Sequence, residues 1–455
     1  MRRPLLTPPL GWNSFDSFGG YLHESAAFAQ LEAFARKLAP HGYDTFVVDI
    51  GWYGEYAFKP GTNYPSPTTK HALDIHLDAH GLPLPSKCYF PNGFTRLIAR
   101  THELGLKFGV HIMRGVPRKA VENRLPVLGA PGITAADIAN TASTCGWCHY
   151  NYGIDMARPG AQAYYDSLVA LLSSWGVDFI KADDITGFPA EIIAVADAIA
   201  KCGRPIMLSL SHGGEADPQL LPVYRRADMV RITKDIWDDH ESIERSYNSW
   251  QHWQPHTEPG FWPDLDMIPF GQLQTMSPEP APGELPAGKN PSLCGKGFKR
   301  VCQLNLEEKR TFMTQRAMSA TPLFPGGDLV TLPDEDVRLL TDPQMLACNQ
   351  NGVSAHILYM RGDVQVWQAA HRTKLGCGWL GVFNRNPGRR PEQLILTADR
   401  LGLVPGTKLH NIWTGESLGP LDSNPHISLP PLGCAFIEYS EARWRPGVTA
   451  PEQTH

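Results

Sequence analysis

Two short patterns of charged residues stand out because each could place a carboxylate beside a cation. Lys181 and Asp183 are two residues apart in an apolar run, so on a β-strand their side chains share one face. Arg231, Thr233 and Asp235 repeat the same parity just beyond another apolar run. A neighbouring ammonium would hold Asp183 ionised, as a nucleophilic carboxylate must be. Two carboxylates, one anionic and one able to carry a proton, are the minimum equipment for cleaving a glycosidic bond.

The same residues admit a second interpretation. Both pairs could be structural ion pairs at the rim of a sheet, because perturbed charges also occur in scaffolds. The sequence does not measure how far apart the two carboxylates lie, so it does not decide between retention and inversion at the sugar. The residues alone leave both alternatives open.

These side chains must be positioned by strands that alternate with helices. From residue 8 to about 350, short apolar runs alternate with amphipathic stretches, the pattern of a parallel sheet with crossover helices. Strands are predicted at 10–12, 46–49, 108–111, 179–181, 206–208, 229–232, 265–267 and 321–324, and helices at 26–38, 94–104, 161–175, 192–200 and 243–253. Eight strands predict an α/β fold, a closed (β/α)8 TIM barrel, with a doubly wound open sheet as the alternative.

The pattern of apolar and polar residues changes near Gly352. Beyond it, turn-punctuated segments alternate apolar and polar residues without a convincing helix, which predicts an antiparallel β-sandwich. The predicted domains are therefore a catalytic barrel at 1–350 and a C-terminal β-sandwich at 351–455. Three long inserts, at 54–92, 115–158 and near 276–300, follow barrel strands and are expected on the active-site face.

The composition limits the classes of binding partner that we expect. The 455 residues are 42% hydrophobic with a formal net charge of −5, and they contain no long run of Lys or Arg. We therefore expect a small neutral substrate rather than nucleic acid or a membrane. The nine cysteines and the lack of room for an export signal before Leu10 predict reduced thiols and a cytoplasmic protein. A homo-oligomer is left open.

Polar residues at the carboxyl ends of the predicted strands are the candidate site. In a barrel these positions face the active site, whereas the opposite strand ends serve stability. The set expected to converge on one pocket is Trp12, Asp49, His111, Lys181, Asp183, Ser211, Arg231, Asp235, Asp264 and Asp266.

At these positions the sequence resembles glycoside hydrolase family 27, the α-galactosidase and α-N-acetylgalactosaminidase family. The matching segments are PLGWNS at 9–14, GLKFG at 105–109, FIKAD at 179–183, RITKDI at 231–236, PGFWPDLDM at 259–267 and ATPLF at 320–324. The resemblance implies a (β/α)8 barrel followed by an antiparallel β-domain, and a retaining exo-α-glycosidase for which α-galactosidase is the best single name.

The resemblance also implies residue roles. Asp183 corresponds to the nucleophile and Asp235 to the acid/base. The residues at sugar-contacting positions are Trp12, Asp49, Cys145, Lys181, Arg231 and Asp266. The substrate is a carbohydrate, and no metal or organic cofactor is called for.

Departures from the family pattern affect the choice of sugar. A pair of Asp residues that grips the galactose 4- and 6-hydroxyls becomes Asp49-Ile50 here, and Ser211 stands where galactosidases carry Glu beside the 2-hydroxyl. A family Tyr becomes His111, and Arg114 is predicted to supply a new sugar contact. The alternatives are therefore an α-N-acetylgalactosaminide, a β-L-arabinopyranoside or an isomalto-type substrate. A catalytically silent sugar-binding protein is the alternative from another class, although binding alone does not require both carboxylates.

Cys145 and Cys148 form a CxxC pattern that could be a redox pair, half a zinc site or a loop staple. No second CxxC or suitably spaced His pair accompanies it, so zinc is not expected. We expect a pocket-lining loop whose two cysteines are either free or bonded to each other.

Overall fold

The computed structural model describes residues 5–56, 69–212, 216–280, 282–287, 294–388 and 390–440. The start of the chain, parts of the inserts predicted at 54–92 and 276–300, and the end of the predicted sandwich lie outside these described residues. Two compact units are present, and each is described by itself. The first comprises Met1–Ser249, Glu258–Gln303 and Thr321–Thr341, and the second comprises Trp250–Thr257, Leu304–Ala320 and Asp342–His455. The domain boundary at 350 stays a prediction, because the second unit also takes two segments that precede it, Trp250–Thr257 and Leu304–Ala320.

A parallel sheet of seven strands forms the centre of the first unit. In spatial and chain order the strands are β1 (Gly11–Asn13), β2 (Thr45–Val48), β3 (Lys107–Met113), β4 (Phe179–Asp183), β5 (Met207–Leu210), β6 (Met229–Arg231) and β7 (Trp262–Asp264). The β3–β4 register sets His111 beside Lys181 and Met113 beside Asp183. Almost every strand residue is buried, as expected when helices cover a parallel sheet.

The predicted eighth strand is not a strand in the structure. Leu323 makes an isolated parallel bridge to Leu10, and Pro325 makes one to Ile268. The Gly11 N–H donates to the Leu323 carbonyl at 2.9 Å. Prolines at 322 and 325 have no N–H to donate, which prevents a continuous ladder. The curled parallel sheet fits a TIM barrel, but its ladder is open between β7 and β1.

The seventh strand also differs from its prediction. The structure places it at Trp262–Asp264, just before the predicted 265–267. Asp266 lies beyond the strand in a left-handed conformation with φ 72°. A residue with that φ cannot continue an extended strand.

The structure has helices near the predicted positions along the chain. The longer ones are Glu24–Lys37, Thr95–Glu103, Ala161–Trp175, Pro189–Lys201, His240–Trp253, Leu306–Ser319, Asp334–Thr341 and Pro343–Gln350, and the shorter ones are Phe15–Phe18, Arg118–Glu122, Ala135–Ile138, Leu221–Tyr224 and Ala398–Leu401. Ala161–Trp175 buries Tyr164, Leu168 and Leu172 at a spacing of four, which is one face of a helix. Glycines with positive φ flank it at both ends. Within the described residues, no helix has the length and apolar character needed to span a bilayer.

The inserts contain small antiparallel sheets. Gly54–Glu55 pairs with Asp74–Ile75, and Gln272–Leu273 pairs with Arg300–Val301. The middle insert forms a three-stranded sheet from Val116–Pro117, Asn151–Ile154 and Ala139–Thr144.

The second unit contains an antiparallel β domain, as predicted. Its six-stranded sheet has the order His356–Arg361, Val364–Ala370, Gly378–Asn384, Cys434–Ser440, Lys408–Asn411 and Glu416–Pro420. A second sheet pairs Glu392–Ile395 with His426–Leu429. Both sheets contribute to one apolar core, in which Leu380 and Ile437 of the large sheet join Leu394 and Leu429 of the small one.

Candidate active site

Asp183 ends β4 and is 8% exposed. Its Oδ2 lies 3.3 Å from His111 Nε2, and its Oδ1 accepts the Asp184 backbone N–H at 2.9 Å. Burial alone would raise the pKa of Asp183, but the His111 hydrogen bond and the charges of Lys181 and Arg231 lower it well below its ordinary value. An ionised carboxylate can only accept hydrogen bonds, so His111 is the donor. The sequence-based expectation that Lys181 helps to ionise Asp183 agrees with this electrostatic arrangement.

The direct partner of Lys181 is Asp49 rather than Asp183. Lys181 Nζ donates to Asp49 Oδ2 at 2.7 Å, and Asn13 Nδ2 donates to the same oxygen at 2.6 Å. The Ile50 backbone N–H donates to Oδ1 at 2.8 Å. Burial would raise the pKa of Asp49, but the Lys181 and His111 charges and the hydrogen bonds from Lys181 and Ile50 together lower it. Asp49 is therefore a fixed anionic acceptor.

Arg231, at the end of β6, holds a second group of predicted residues together. It donates from Nη2 to Asp235 Oδ1, and its Nη1 lies 3.5 Å from Ser211 Oγ and 3.6 Å from Asp266 Oδ1. The Asp235 side chain is 65% exposed. Desolvation and the negative charge of Asp183 would raise the pKa of Asp235, but the charge and the hydrogen bond of Arg231, with the charge of His212, together lower it. A solvent-accessible carboxylate thus shares its electrostatic environment with a buried one.

Trp12 does not reach this site. Its ring is fully buried, stacks on Phe46 with centroids 4.8 Å apart, and donates its Nε1–H to the Gly327 carbonyl at 2.9 Å. Because side chains alternate along β1, Asn13 faces the pocket when Trp12 faces away. The structure therefore places Asn13, which bonds Asp49, at the site, and turns the Trp12 ring away from it.

Phe15 is a second residue that the sequence reasoning missed. Its partly exposed ring has the Lys181 Nζ 5.8 Å from its centroid. It offers an apolar face beside the polar cluster, suited to the C–H surface of a sugar. Its position two residues after Asn13, just past a strand end, was the available signal.

The side-chain donors of Arg114 are engaged within the protein. Nη1 donates to Glu191 Oε1 at 2.7 Å and to Ser143 Oγ at 3.1 Å, and Nη2 donates to Asp184 Oδ2 at 2.9 Å. The residue is 3% exposed. Its predicted sugar contact remains untested, and the geometry gives it a buried structural position.

Gly153→Ala is expected to lower the free energy of unfolding by about 1–3 kcal/mol, because a Cβ at this position overlaps Arg114 Nη1 and lies 2.6 Å from Ser143 Oγ. Urea unfolding measures the change. Gly146→Ala is the matched control, since a Cβ there meets nothing within 4 Å. Equal unfolding midpoints for the two variants would contradict the tight fit around Arg114.

The CxxC cysteines are free and buried. Burial raises the pKa of the Cys145 thiol to about 11, so it is a poor thiolate nucleophile at neutral pH. Cys145 also hydrogen-bonds the Asp184 carboxyl, which places the loop near the nucleophile. Across the described ranges, no group of three or more His, Cys, Asp or Glu side chains is arranged to hold a metal ion.

The arrangement has two buried ionised carboxylates, Asp183 and Asp49, and one accessible carboxylate, Asp235. A cavity lined by Asn13, Lys181, Ser211, Arg231, Asp264 and Asp266 lies at the carboxyl ends of the strands. This is the location of active sites in parallel barrels. Charged and polar side chains grouped at this edge of the sheet can hydrogen-bond a neutral, hydroxyl-rich ligand.

Comparisons with known proteins agree with this chemistry. No protein-family model matches the chain. A family 27 β-L-arabinopyranosidase from Geobacillus stearothermophilus, solved with arabinose, is 34% identical with a TM-score of 0.84, covering 96% of this chain and 98% of that one. α-Galactosidase A of Cellvibrio japonicus is 25% identical over 388 residues, 79% of this chain and 72% of the relative. The α-N-acetylgalactosaminidase of Rattus norvegicus is 24% identical over 387 residues, 78% of this chain and 71% of the relative.

The fold, the paired carboxylates and these relatives define an enzyme of the glycoside hydrolase class. The chain belongs to glycoside hydrolase family 27. The resemblance drawn from its motifs is thereby confirmed.

Proposed function

We propose that this enzyme is a retaining exo-glycosidase that removes terminal β-L-arabinopyranosyl units and takes α-D-galactosyl units as poorer substrates. The mechanism is supported by Asp183, held ionised beside His111, and by the accessible Asp235 within the same field of charge. The preference between sugars is carried by one observation, the apolar side chain of Ile50 directly after the sugar-binding candidate Asp49.

The reaction has two displacements. In the first, an Asp183 oxygen attacks the anomeric carbon while Asp235 gives its proton to the glycosidic oxygen, and the aglycone leaves. In the second, Asp235 takes a proton from water as the water oxygen attacks the same carbon and Asp183 is released. Two inversions give net retention. The Arg231 ion pair favours ionised Asp235, so it must loosen for Asp235 to carry the proton, and it can reform once the proton has been delivered.

The sugar preference follows from one substituent. β-L-Arabinopyranose matches α-D-galactopyranose around the ring but lacks the hydroxymethyl group at carbon 5. Asp49 remains as an anionic acceptor for a ring hydroxyl, whereas Ile50 offers no acceptor for the 6-hydroxyl and is only 6% exposed. Burying that hydroxyl without a partner costs free energy. The β-L-arabinopyranosidase similarity supports the same choice.

α-D-Galactosides remain the second candidate, because the curated relatives include α-galactosidases. Ser211 replaces a longer acidic residue of the family pattern, which leaves more room beside carbon 2 of the sugar. A substrate with a larger group at carbon 2, such as an α-N-acetylgalactosaminide, is therefore the third candidate. Its hydroxyl already lies 3.5 Å from Arg231 Nη1. A neutral hydroxyl there leaves the Arg231 charge available to the substrate.

Wild-type enzyme is expected to hydrolyse 4-nitrophenyl β-L-arabinopyranoside with a higher kcat/KM than 4-nitrophenyl α-D-galactoside. Ile50→Asp is expected to move the ratio of the two kcat/KM values toward the galactoside by about 10- to 100-fold, the range for a hydrogen bond to a charged group. Initial rates for both substrates measure it, with an α-N-acetylgalactosaminide and an α-glucoside completing the panel.

Ile50→Val is the matched control, because it keeps the position apolar and should shift the ratio by less than about fivefold. Wild-type preference for the galactoside would overturn the sugar assignment and leave the mechanism standing. Failure to hydrolyse any member of the panel would overturn both.

A further inference from the structure

The residue after the nucleophile has an unusual backbone. Asp184 has φ 57°, in the left-handed region that non-glycine residues rarely adopt. Asp and Asn tolerate this region better than Ala does, because their short polar side chains can hydrogen-bond locally. A strained conformation that persists beside reacting groups needs surrounding contacts to hold it.

This backbone conformation aims a donor at the nucleophile. The Asp184 N–H donates to Asp183 Oδ1 at 2.9 Å, while His111 Nε2 lies 3.3 Å from Oδ2. Both carboxylate oxygens therefore have a donor, which fixes the rotation of the Asp183 side chain. Since the chain on both sides is held in place, an extended φ at Asp184 would require the 183–184 peptide plane to rotate, which would turn its N–H away from Oδ1.

Arg114 clamps Asp184 in this conformation. Its Nε donates to the Asp184 carbonyl at 2.8 Å and lies 3.2 Å from Oδ2, and its Nη2 donates to Oδ2 at 2.9 Å. The Arg114 backbone N–H donates to the Asp183 carbonyl at 3.0 Å. One arginine thus holds the two peptide groups that flank Asp184.

Arg114 is itself fixed by groups from other parts of the unit. Glu191 Oε1 accepts from its Nη1 at 2.7 Å, and Tyr165 donates to the other Glu191 oxygen at 2.5 Å. The guanidinium carbon sits 3.4 Å from the centre of the Phe188 ring. With the Arg114 side chain only 2% exposed, solvent does not compete for these bonds.

We propose that Arg114 and Asp184 are positioning residues, which act together to hold a left-handed peptide whose N–H orients Asp183 for attack. The proposal rests on the proposed role of Asp183 as nucleophile. Neither residue needs to touch the sugar, so losing the arrangement lowers kcat much more than it changes KM. This assigns Arg114 a role different from the sugar contact predicted from the sequence.

Two variants at residue 184 separate backbone conformation from carboxylate chemistry. Asp184→Ala and Asp184→Gly both remove the carboxylate that Arg114 binds, but only glycine adopts positive φ without cost. The alanine variant is expected to have a kcat at least about tenfold below that of the glycine variant, with KM values within about threefold of each other, since a charge-assisted hydrogen bond is lost. Asp184→Asn, which keeps an acceptor and tolerates positive φ, should lie above the alanine variant. Equal kcat values for alanine and glycine would overturn the proposal.

A mechanism-based label distinguishes this failure from failure of the proposed function. An epoxide or aziridine cyclitol of β-L-arabinopyranosyl configuration is expected to esterify Asp183 in the wild type, which peptide mass spectrometry identifies. Label on another residue would overturn the nucleophile assignment. Label on Asp183 at the same rate in the alanine and glycine variants would overturn only the positioning role. If the alanine variant fails to fold, Arg114→Lys is combined with Asp184→Asn and, separately, with Asp184→Gly. Arg114→Lys should then lower the labelling rate more in the asparagine background than in the glycine background. Equal reductions in the two backgrounds would overturn the proposal.

Discussion

Asp183→Asn is expected to lower kcat by about 10⁴-fold or more, because it removes the only group proposed to form the covalent intermediate. The amide is nearly the same size as the carboxylate, so packing changes little. It is neutral, however, and loses the charge that Lys181 and Arg231 favour at this position. Hydrolysis of 4-nitrophenyl β-L-arabinopyranoside under saturating substrate measures the loss.

Chemical rescue identifies what Asp183 does. Asp183→Gly leaves space for azide, which should attack from the side of the missing carboxylate and give the inverted α-L-arabinopyranosyl azide. Asp197→Asn is the control. Asp197 lies on the helix Pro189–Lys201, pairs with Arg226, and has a side chain that is 50% exposed. Asp183→Asn retaining more than about a tenth of wild-type kcat would exclude the nucleophilic role.

The polar residues at the strand ends were predictable because two simple periodicities determine them. Apolar runs locate the buried strands, and the period of two along a strand places Lys181 and Asp183 on one face. The rule that barrel sites lie at carboxyl ends then selects Asp49, Asp183 and Arg231. The structure brings each of them to the candidate site.

The structure differs from the sequence-based expectations where residues close along the chain do not determine the deciding contact. Trp12 and Asn13 are adjacent, and a shift of one residue reverses the face that a strand presents. Arg114 bonds Glu191, 77 positions away along the chain, so its buried partners could not be read from neighbouring residues. The left-handed Asp184 carries no glycine signal, since its conformation is set by these tertiary contacts.

Asp235→Ala is expected to lower kcat/KM by about 10²- to 10⁴-fold for substrates whose leaving group needs a proton. A dinitrophenyl glycoside should lose much less in the first step, because its leaving group departs as a stable anion. Azide should then trap the glycosyl-enzyme and give the β-L-arabinopyranosyl azide, with the configuration of the substrate. Equal losses for good and poor leaving groups would contradict proton delivery by Asp235.

The Arg231–Asp235 ion pair determines the direction in which kcat/KM should change with pH. Arg231 helps to lower the pKa of Asp235 in the free enzyme, so its protonated form is lost as pH rises through that lowered value. Since kcat/KM reports groups of the free enzyme, wild-type kcat/KM for a poor leaving group should fall as pH rises, and Asp235→Ala should lack that limb. Lys234→Ala, at the exposed neighbouring residue, should keep it. A limb that persists unchanged in Asp235→Ala would assign the proton to another group, because a side chain that cannot titrate cannot produce it.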